Sequence, residues 1–187
     1  MASKRPILLM TRPKAASEGF LALLHDHGMR DCDVVVSPLL GIQPAGALPV
    51  LDGQEILAFT SAHGVAAYIS LGGKPDARAF AVGQATANAA RKAGLDVTVC
   101  GGDADALIAD ILAQDPEGEV IHLRGSHARG NIAARLRAQG ILADEAVIYD
   151  QPAQPLTDSA RSALSGTRPV VAPLFSPRSG ALMARAR

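Results

Sequence analysis

The chain contains the same β-α-β pattern twice, and this internal repeat constrains its fold more than any other feature of the sequence. An apolar run, a helical stretch and a second apolar run occupy residues 6–44 and recur over residues 118–155. Arg12 and Arg124 follow the first run of each copy and lie 112 residues apart. A repeat of this length predicts two similar domains, and two facing domains predict a ligand-binding cleft.

A second pair of segments extends the repeat. Phe59–Gly64 reads Phe-Thr-Ser-Ala-His-Gly, and Phe175–Gly180 reads Phe-Ser-Pro-Arg-Ser-Gly 116 residues later. Short Val- and Ile-rich runs alternate with longer Ala- and Leu-rich stretches, such as the helix predicted over residues 15–27, which has Phe20, Leu23 and Leu24 on one face. We therefore predict two similar α/β domains, each with a parallel sheet flanked by helices, joined by a two-stranded linker.

Proline-rich segments predict the domain boundaries. Residues 1–37 and 156–187 form a discontinuous first domain, residues 46–149 an inserted second domain, and residues 38–45 and 150–155 the linkers. The inserted segment contains five strand-like runs and the flanking segments only three, so we expect the first domain to be the incomplete one. A double connection would tether the domains while the cleft opens and closes.

Composition narrows the classes of partner. The 187 residues include 18 basic and 18 acidic side chains, so no global field attracts nucleic acid or a membrane surface. The N-terminus does not resemble a signal peptide and no apolar stretch has membrane-spanning length, which favours a cytoplasmic protein. Cys32 and Cys100 lack C-x-x-C spacing and are expected to be reduced thiols.

The motifs of common cofactor enzymes do not occur. The sequence contains no G-x-G-x-x-G, no G-x-x-x-x-G-K-[ST] and no H-E-x-x-H, which disfavours nucleotide and zinc enzymes of those types. His25 and His27 are two residues apart on a predicted helix and do not share a face, so they do not predict a metal site. We predict no cofactor and no metal.

The turns that follow the predicted strands carry the candidate ligand-binding groups. Ligands of open parallel sheets lie beyond the carboxyl ends of the strands, where helix N-termini present free N–H groups. Here these turns are rich in hydroxyls, glycines and basic side chains, which favours a ligand with several carboxylates or phosphates. Each residue also has a structural interpretation, because Ser and Thr often cap helices and Arg often forms surface ion pairs.

Tyr149 is the candidate for chemistry. It ends a predicted strand at the entry to the second linker, where its phenol could donate a proton to a leaving group or simply pack against the linker. The only other tyrosine, Tyr68, lies among apolar residues of a predicted helix and is expected in the core. His122 lies within a predicted strand and is expected to be a core histidine with a hydrogen-bond partner.

Five segments together resemble the uroporphyrinogen-III synthase family. Each motif is short, but their order and spacing are specific, and the resemblance covers nearly the whole chain. The segments are Phe59–Val65, Ala81–Ala87, His122–Gly125, Val147–Tyr149 and Phe175–Gly180.

The resemblance implies a reaction without metal or organic cofactor. Its substrate is hydroxymethylbilane, a linear tetrapyrrole with eight carboxylates, which loses water and closes with inversion of the last pyrrole. Loss of the hydroxyl gives an azafulvene cation, which is attacked through a spiro intermediate. The free substrate closes spontaneously without inversion, so catalysis is largely control of conformation. We expect a monomer with transient contact to the preceding enzyme of the pathway.

The resemblance also assigns roles to single residues. Tyr149 matches a tyrosine proposed to assist departure of the hydroxyl, and Gly83 and Ala85 match a turn that offers amides to substrate carboxylates. Arg124 matches a basic residue near the site, and His63 stands where many relatives carry Arg or Lys. The hydroxyl positions that line the cleft in the family are matched here by Thr60, Ser61, Thr86 and Ser176. Arg12, at the repeat position equivalent to Arg124, completes the candidate set.

Relatives continue past the Phe175–Gly180 turn with another strand, a second turn and a final β-α unit. This difference implies that the first domain lacks about two strands, and we expect it to have poor independent stability and the chain to have reduced activity. Two other functions stay open. One is a non-catalytic binding module for a polyanionic small molecule, and the other is a generic two-domain sugar- or nucleotide-binding protein.

Overall fold

The computed structural model describes residues 5–128 and 130–186. By its contacts the chain divides into two compact units, unit 1 (Met1–Gly41 and Pro152–Arg187) and unit 2 (Ile42–Gln151). That these units are separately folding domains stays a prediction.

In chain order the elements are β1 (Ile7–Met10), α1 (Lys14–Asp26), β2 (Asp33–Val36), β3 (Gln43–Pro44), β4 (Ile56–Phe59), α2 (Ala62–Ser70), β5 (Arg78–Val82), α3 (Gly83–Lys92), β6 (Asp96–Cys100), α4 (Ala104–Gln114), β7 (Val120–Gly125), α5 (Ile132–Ala138), β8 (Ala143–Asp150), α6 (Asp158–Ser165), β9 (Val170–Val171) and α7 (Pro177–Arg185).

Unit 2 contains a six-stranded sheet with helices on both faces. The strand order is β3-β8-β7-β4-β5-β6, in which β3 is antiparallel to β8 and the other five strands are parallel. Continuous apolar runs form the central strands because both faces are covered, and all four residues of β4 are buried. Alternate strand residues enter two cores, with Ile56 in the one that includes α4 and α5 and Leu57 in the one that includes α2 and α3.

The order of the strands reverses at β4 and β7. From β4 the chain proceeds to β5 and β6 in one direction, and from β7 it proceeds to β8 in the other. The connections after these adjacent strands therefore leave toward opposite faces of the sheet. Such a switch point opens a crevice at the carboxyl ends of the strands, which is where ligands bind in open α/β sheets.

Unit 1 contains a smaller sheet of three parallel strands in the order β2-β1-β9. Its core consists of Leu9, Leu39, Leu156, Ala160 and Met183. The order is the same as that of β8-β7-β4 in unit 2, with β1-α1-β2 corresponding to β7-α5-β8. The repeat seen in the sequence is therefore present in the strand topology of each unit.

The segments predicted to be linkers form antiparallel pairs. Leu40 pairs with Ala153, and Gln43 and Pro44 pair with Asp150 and Tyr149. Proline is tolerated in β3 because this strand lies at the edge of the sheet. Across the described residues, none of the helices has both the length and the apolar character needed to cross a membrane.

Candidate functional site at the carboxyl ends of β4, β7 and β8

Tyr149 is one of the most enclosed candidate site residues at this edge of the sheet of unit 2. It is 7% exposed, and its ring lies against Gly125 on the neighbouring strand. A Cβ atom at Gly125 would lie 2.6 Å from Cε2 of Tyr149, closer than real Cβ contacts allow. An irregularity between Arg124 and Gly125 shifts the register of β7 and β8, so that Gly125 pairs with Tyr149. The absent side chain and the shifted register together create the space for the phenol.

The phenol of Tyr149 is held in its protonated form. Burial raises the pKa of Tyr149, and hydrogen bonding with Ser61 and with the backbone of Gly125 lowers it by less. The site therefore keeps the proton on Tyr149 at neutral pH and places Ser61 and the backbone of Gly125 beside the phenol.

Ser61 belongs to this site and also caps a helix. It is the N-cap of α2, where its Oγ accepts a hydrogen bond from the backbone N–H of His63 at 3.2 Å. The ring of His63 lies edge-on to that of Tyr149, with 6.4 Å between their centroids. The capping interpretation of Ser61 is therefore correct, and the cap brings the same hydroxyl to Tyr149.

Thr60, at the end of β4, contacts His122 on β7. Its Oγ1 lies 3.4 Å from Nε2 of His122, a residue that is 2% exposed. The prediction of a core histidine with a partner is correct for Nε2 only, because Nδ1 is buried without a hydrogen-bond partner among the described residues. Burial lowers the pKa of His122 to about 4, with Glu145 opposing this shift and Arg124 adding to it.

Arg124 is already engaged by neighbouring groups. Its guanidinium lies 2.7 Å from a carboxylate oxygen of Glu145 and donates to the carbonyl of Gly125 at 3.0 Å. Both side chains of the ion pair are partly buried, with Arg124 22% and Glu145 33% exposed. Arg124 thus pairs β7 with β8 through Glu145, and its role in binding substrate stays a prediction.

The N-terminus of α3 offers backbone donors. Gly83 begins this helix with φ +70°, a conformation that favours glycine, and no side chain of Val82 caps it. The first N–H groups of a helix have no partner within it, so those at Gly83 and Ala85 can meet an anion. Thr86 is only 6% exposed and belongs largely to the interior of the unit.

Arg12 and Ser176 lie in unit 1, where Arg12 follows β1 by two residues and Ser176 follows β9 by five. The guanidinium of Arg12 lies over the ring of Phe175, 4.3 Å from its centroid, and Phe20 packs edge-on against the same ring. Ser176 is the N-cap of α7 and accepts from the backbone N–H of Ser179 at 3.1 Å. Phe175 thus holds the cation in position, a role that the sequence analysis did not assign.

Two residues of the site had no role predicted from the sequence. Gly125 lies in the segment His122–Gly125 that resembles the family, but no contact with Tyr149 was predicted for it. His122 was predicted to lie in the core, without a contact to Thr60. Three-residue clusters of His, Cys, Asp or Glu suited to a metal ion are not found within residues 5–128 and 130–186.

The fold and the site define a class, the α/β proteins of two repeated units with a protonated phenol, hydroxyls and helix N-terminal amides at a switch point. The particular family follows from comparison with known proteins. A family model described as uroporphyrinogen-III synthase HemD matches residues 20–184, and the chain belongs to this family of tetrapyrrole-biosynthesis enzymes. No curated protein sequence matches the chain.

Solved structures share the fold at low identity. The uroporphyrinogen-III synthetase of Helicobacter pylori is 18% identical, with a TM-score of 0.63 over 98% of this chain and 78% of that one. A mutant uroporphyrinogen III synthase of Thermus thermophilus is 16% identical, with a TM-score of 0.55 over 97% of this chain and 77% of that one. These likenesses identify the fold, and the family match identifies the family.

Proposed function

We propose that this chain converts hydroxymethylbilane to uroporphyrinogen III, with loss of water and inversion of the terminal pyrrole ring. Membership of the synthase family supports this reaction. The observation that carries the proposal within the chain is the buried, protonated phenol of Tyr149 beside Ser61 and Gly125 at the switch point of unit 2. A protonated phenol next to a leaving hydroxyl is a general acid.

Tyr149 assists the first step. As the C–O bond of the hydroxymethyl group breaks, the phenol gives its proton to the departing oxygen, which leaves as water, and the substrate becomes an azafulvene cation. Hydrogen bonding with Ser61 and with the backbone of Gly125 favours the phenolate that remains. When the ring has closed, the proton lost from the attacked pyrrole carbon restores the phenol, so the step needs no cofactor.

Local donors hold the substrate carboxylates. Because the chain carries as many basic as acidic side chains, binding of a polyanion depends on groups at the site. In unit 2 the candidates are the amides at the start of α3, with Gly83 and Ala85, and the hydroxyl of Thr60. In unit 1 the candidates are Arg12, held over Phe175, and Ser176.

The test is analysis of the product isomer. Freshly generated hydroxymethylbilane is incubated with the chain, and the products are oxidised to porphyrins and separated by chromatography. We expect type III product above the no-enzyme control. Type I product alone would contradict the proposal, and binding of the substrate without type III product would instead support the non-catalytic binding module.

The two tyrosines provide a matched pair of variants. Tyr149→Phe removes the proposed acid and should lower the rate of type III formation by about 100-fold or more. Tyr68→Phe removes a hydroxyl that donates to the carbonyl of Lys74 at 2.9 Å, remote from the switch point, and should leave the rate within about twofold. Equal effects of the two substitutions would contradict the role of Tyr149.

A further inference from the structure

Thr60 and His122 form a pair in unit 2, and the proposed function assigns a role to Thr60 but none to His122. His122 lies on β7, next to β4 in the centre of the sheet, and its Nε2 faces the Thr60 hydroxyl at 3.4 Å. Its other ring nitrogen, Nδ1, is buried and has no hydrogen-bond partner in the described part of the chain. A polar atom buried in this way is uncommon and favours one arrangement of the ring proton over the other.

The unpartnered nitrogen decides the tautomer. A neutral imidazole carries its proton on one nitrogen, which donates, while the other accepts. A buried N–H without a partner is rarer in proteins than a buried acceptor without one. The proton of His122 therefore belongs on Nε2, where it donates to Oγ1 of Thr60, and Nδ1 remains as the bare acceptor.

The neighbouring charges leave the ring neutral. Glu145 is the register partner of His122 on β8, and Arg124 follows two residues later on β7. These two side chains pair with each other at 2.7 Å, so neither charge is left for the imidazole alone. Since the ring is also buried, His122 acts as a fixed dipole rather than as a charge.

The tautomer determines what Thr60 can bind. A hydroxyl that accepts from His122 keeps its own proton for another partner, and Thr60 is half-buried at the mouth of the switch point. We propose that His122 is a positioning residue that orients the Thr60 hydroxyl as a hydrogen-bond donor to a carboxylate of the substrate. That this carboxylate belongs to the substrate rests on the proposed function.

The tautomer is measurable without turnover. In ¹⁵N-labelled wild-type protein at pH 7, long-range proton–nitrogen correlation spectra distinguish neutral rings protonated on Nε2 from those protonated on Nδ1. The His122 signals are assigned by their loss in His122→Gln. We expect the Nε2–H form, and the Nδ1–H form or an average of the two would overturn the proposal whether or not the chain is a synthase.

Kinetics test the link to binding. We expect His122→Leu and Thr60→Val each to raise KM for hydroxymethylbilane about tenfold with kcat within about twofold, because a donor to a charged group is lost or misdirected. The double variant should be no worse than Thr60→Val alone. His122→Gln should recover most of the loss, since its side-chain amide can present an N–H near the Nε2 position.

Two outcomes of the kinetic series would overturn the proposal. One is a fall in kcat with unchanged KM in His122→Leu, and the other is multiplication of the two single effects in the double variant. Thermal melts identify any variant that fails to fold. If His122→Leu does not fold, the kinetics of His122→Gln and the spectrum of wild-type protein test the proposal instead. Wild-type protein without activity would refute the proposed function, and the tautomer measurement would still test His122.

Discussion

The ring of Tyr149 rests on the backbone of Gly125, and no side chain fits between the two strands at this position. A Cβ at Gly125 would lie 2.6 Å from Cε2, 2.7 Å from Cζ and 3.1 Å from the hydroxyl oxygen of Tyr149. The same glycine supplies a backbone hydrogen bond to the phenol. Gly125 therefore determines both where the phenol lies and how its oxygen is bonded.

Gly125→Ala should displace the phenol and reduce activity. Overpacking of this kind costs about 1–3 kcal/mol, and the shifted ring would lose its alignment with Ser61. Urea unfolding and the rate of type III formation measure the two effects. Gly102→Ala is the control, because a Cβ there meets nothing within 4 Å. Full activity and stability of Gly125→Ala would show that the contact is not required.

The activity should persist at alkaline pH if Tyr149 is the acid. Burial raises the pKa of Tyr149 above its ordinary value of about 10, so the phenol stays protonated up to that pH and beyond. An acid must be protonated to act, and the alkaline loss of kcat that depends on Tyr149 should lie above pH 10. A pH–rate profile measures this limb, and a Tyr149-dependent loss below pH 9 would contradict the assignment.

His122 should make the protein less stable in mild acid. The pKa of His122 is about 4 in the folded chain, against an ordinary value of 6.5, so between these values the unfolded chain binds a proton that the folded chain does not. The stability is complete above pH 6.5 and is lost as the pH falls toward 4, by roughly 3 kcal/mol at pH 4.

Urea unfolding at pH 7 and at pH 4 measures this dependence for each variant. His122→Leu should lack the His122 component, and its free energy of unfolding should change less between the two pH values than that of wild type. His25→Gln, which changes an exposed histidine of α1, should behave like wild type. An unchanged pH dependence in His122→Leu would contradict the assignment of this component to His122.

Arg124 should act through Glu145. Substituting Arg124→Gln or Glu145→Gln should each cost up to about 1 kcal/mol, and the double variant should cost no more than the larger single effect. Both single variants should leave KM within about twofold. A large rise in KM for Arg124→Gln alone would show instead that its guanidinium contacts the substrate.

Arg12 should contribute to substrate affinity through its charge. Arg12→Gln should raise KM about tenfold, because a cation that can pair with a carboxylate is lost. Phe175→Leu should give a smaller rise, since the ring 4.3 Å from the guanidinium carbon only holds the cation in place. Lys14→Gln is the matched control, because Lys14 is exposed and already within 3.9 Å of Glu18. An equal rise in the control would indicate a non-specific charge effect.

Much of the architecture could be predicted because it depends on local pattern. Buried parallel strands have continuous apolar runs and helices have the 3.6-residue period, so the alternation of elements and the repeat were visible in the sequence. Ser61 follows β4 by two residues, Ser176 follows β9 by five, and both are helix caps. Candidate site residues could be found in the same way, since the carboxyl ends of parallel strands share one edge of a sheet.

Other features could not be predicted because they depend on which surfaces meet. Periodicity grouped Leu23 with Phe20 and Leu24 on one face of α1, but Leu23 is 52% exposed and Ser17 is the buried residue of that helix. A helical period identifies residues that share a face, and only the neighbouring elements decide which part of that face is covered.

The sequence by itself determined the α/β class, the repeat, the family resemblance and the strand ends at which polar residues collect. Only the tertiary structure decided that Gly125 lies beneath Tyr149 and that Nε2 of His122 faces Thr60. The members of each pair come from different strands, and one shifted register step between β7 and β8 controls the first. Register and burial arise from packing of segments distant in the chain, which local sequence patterns do not encode.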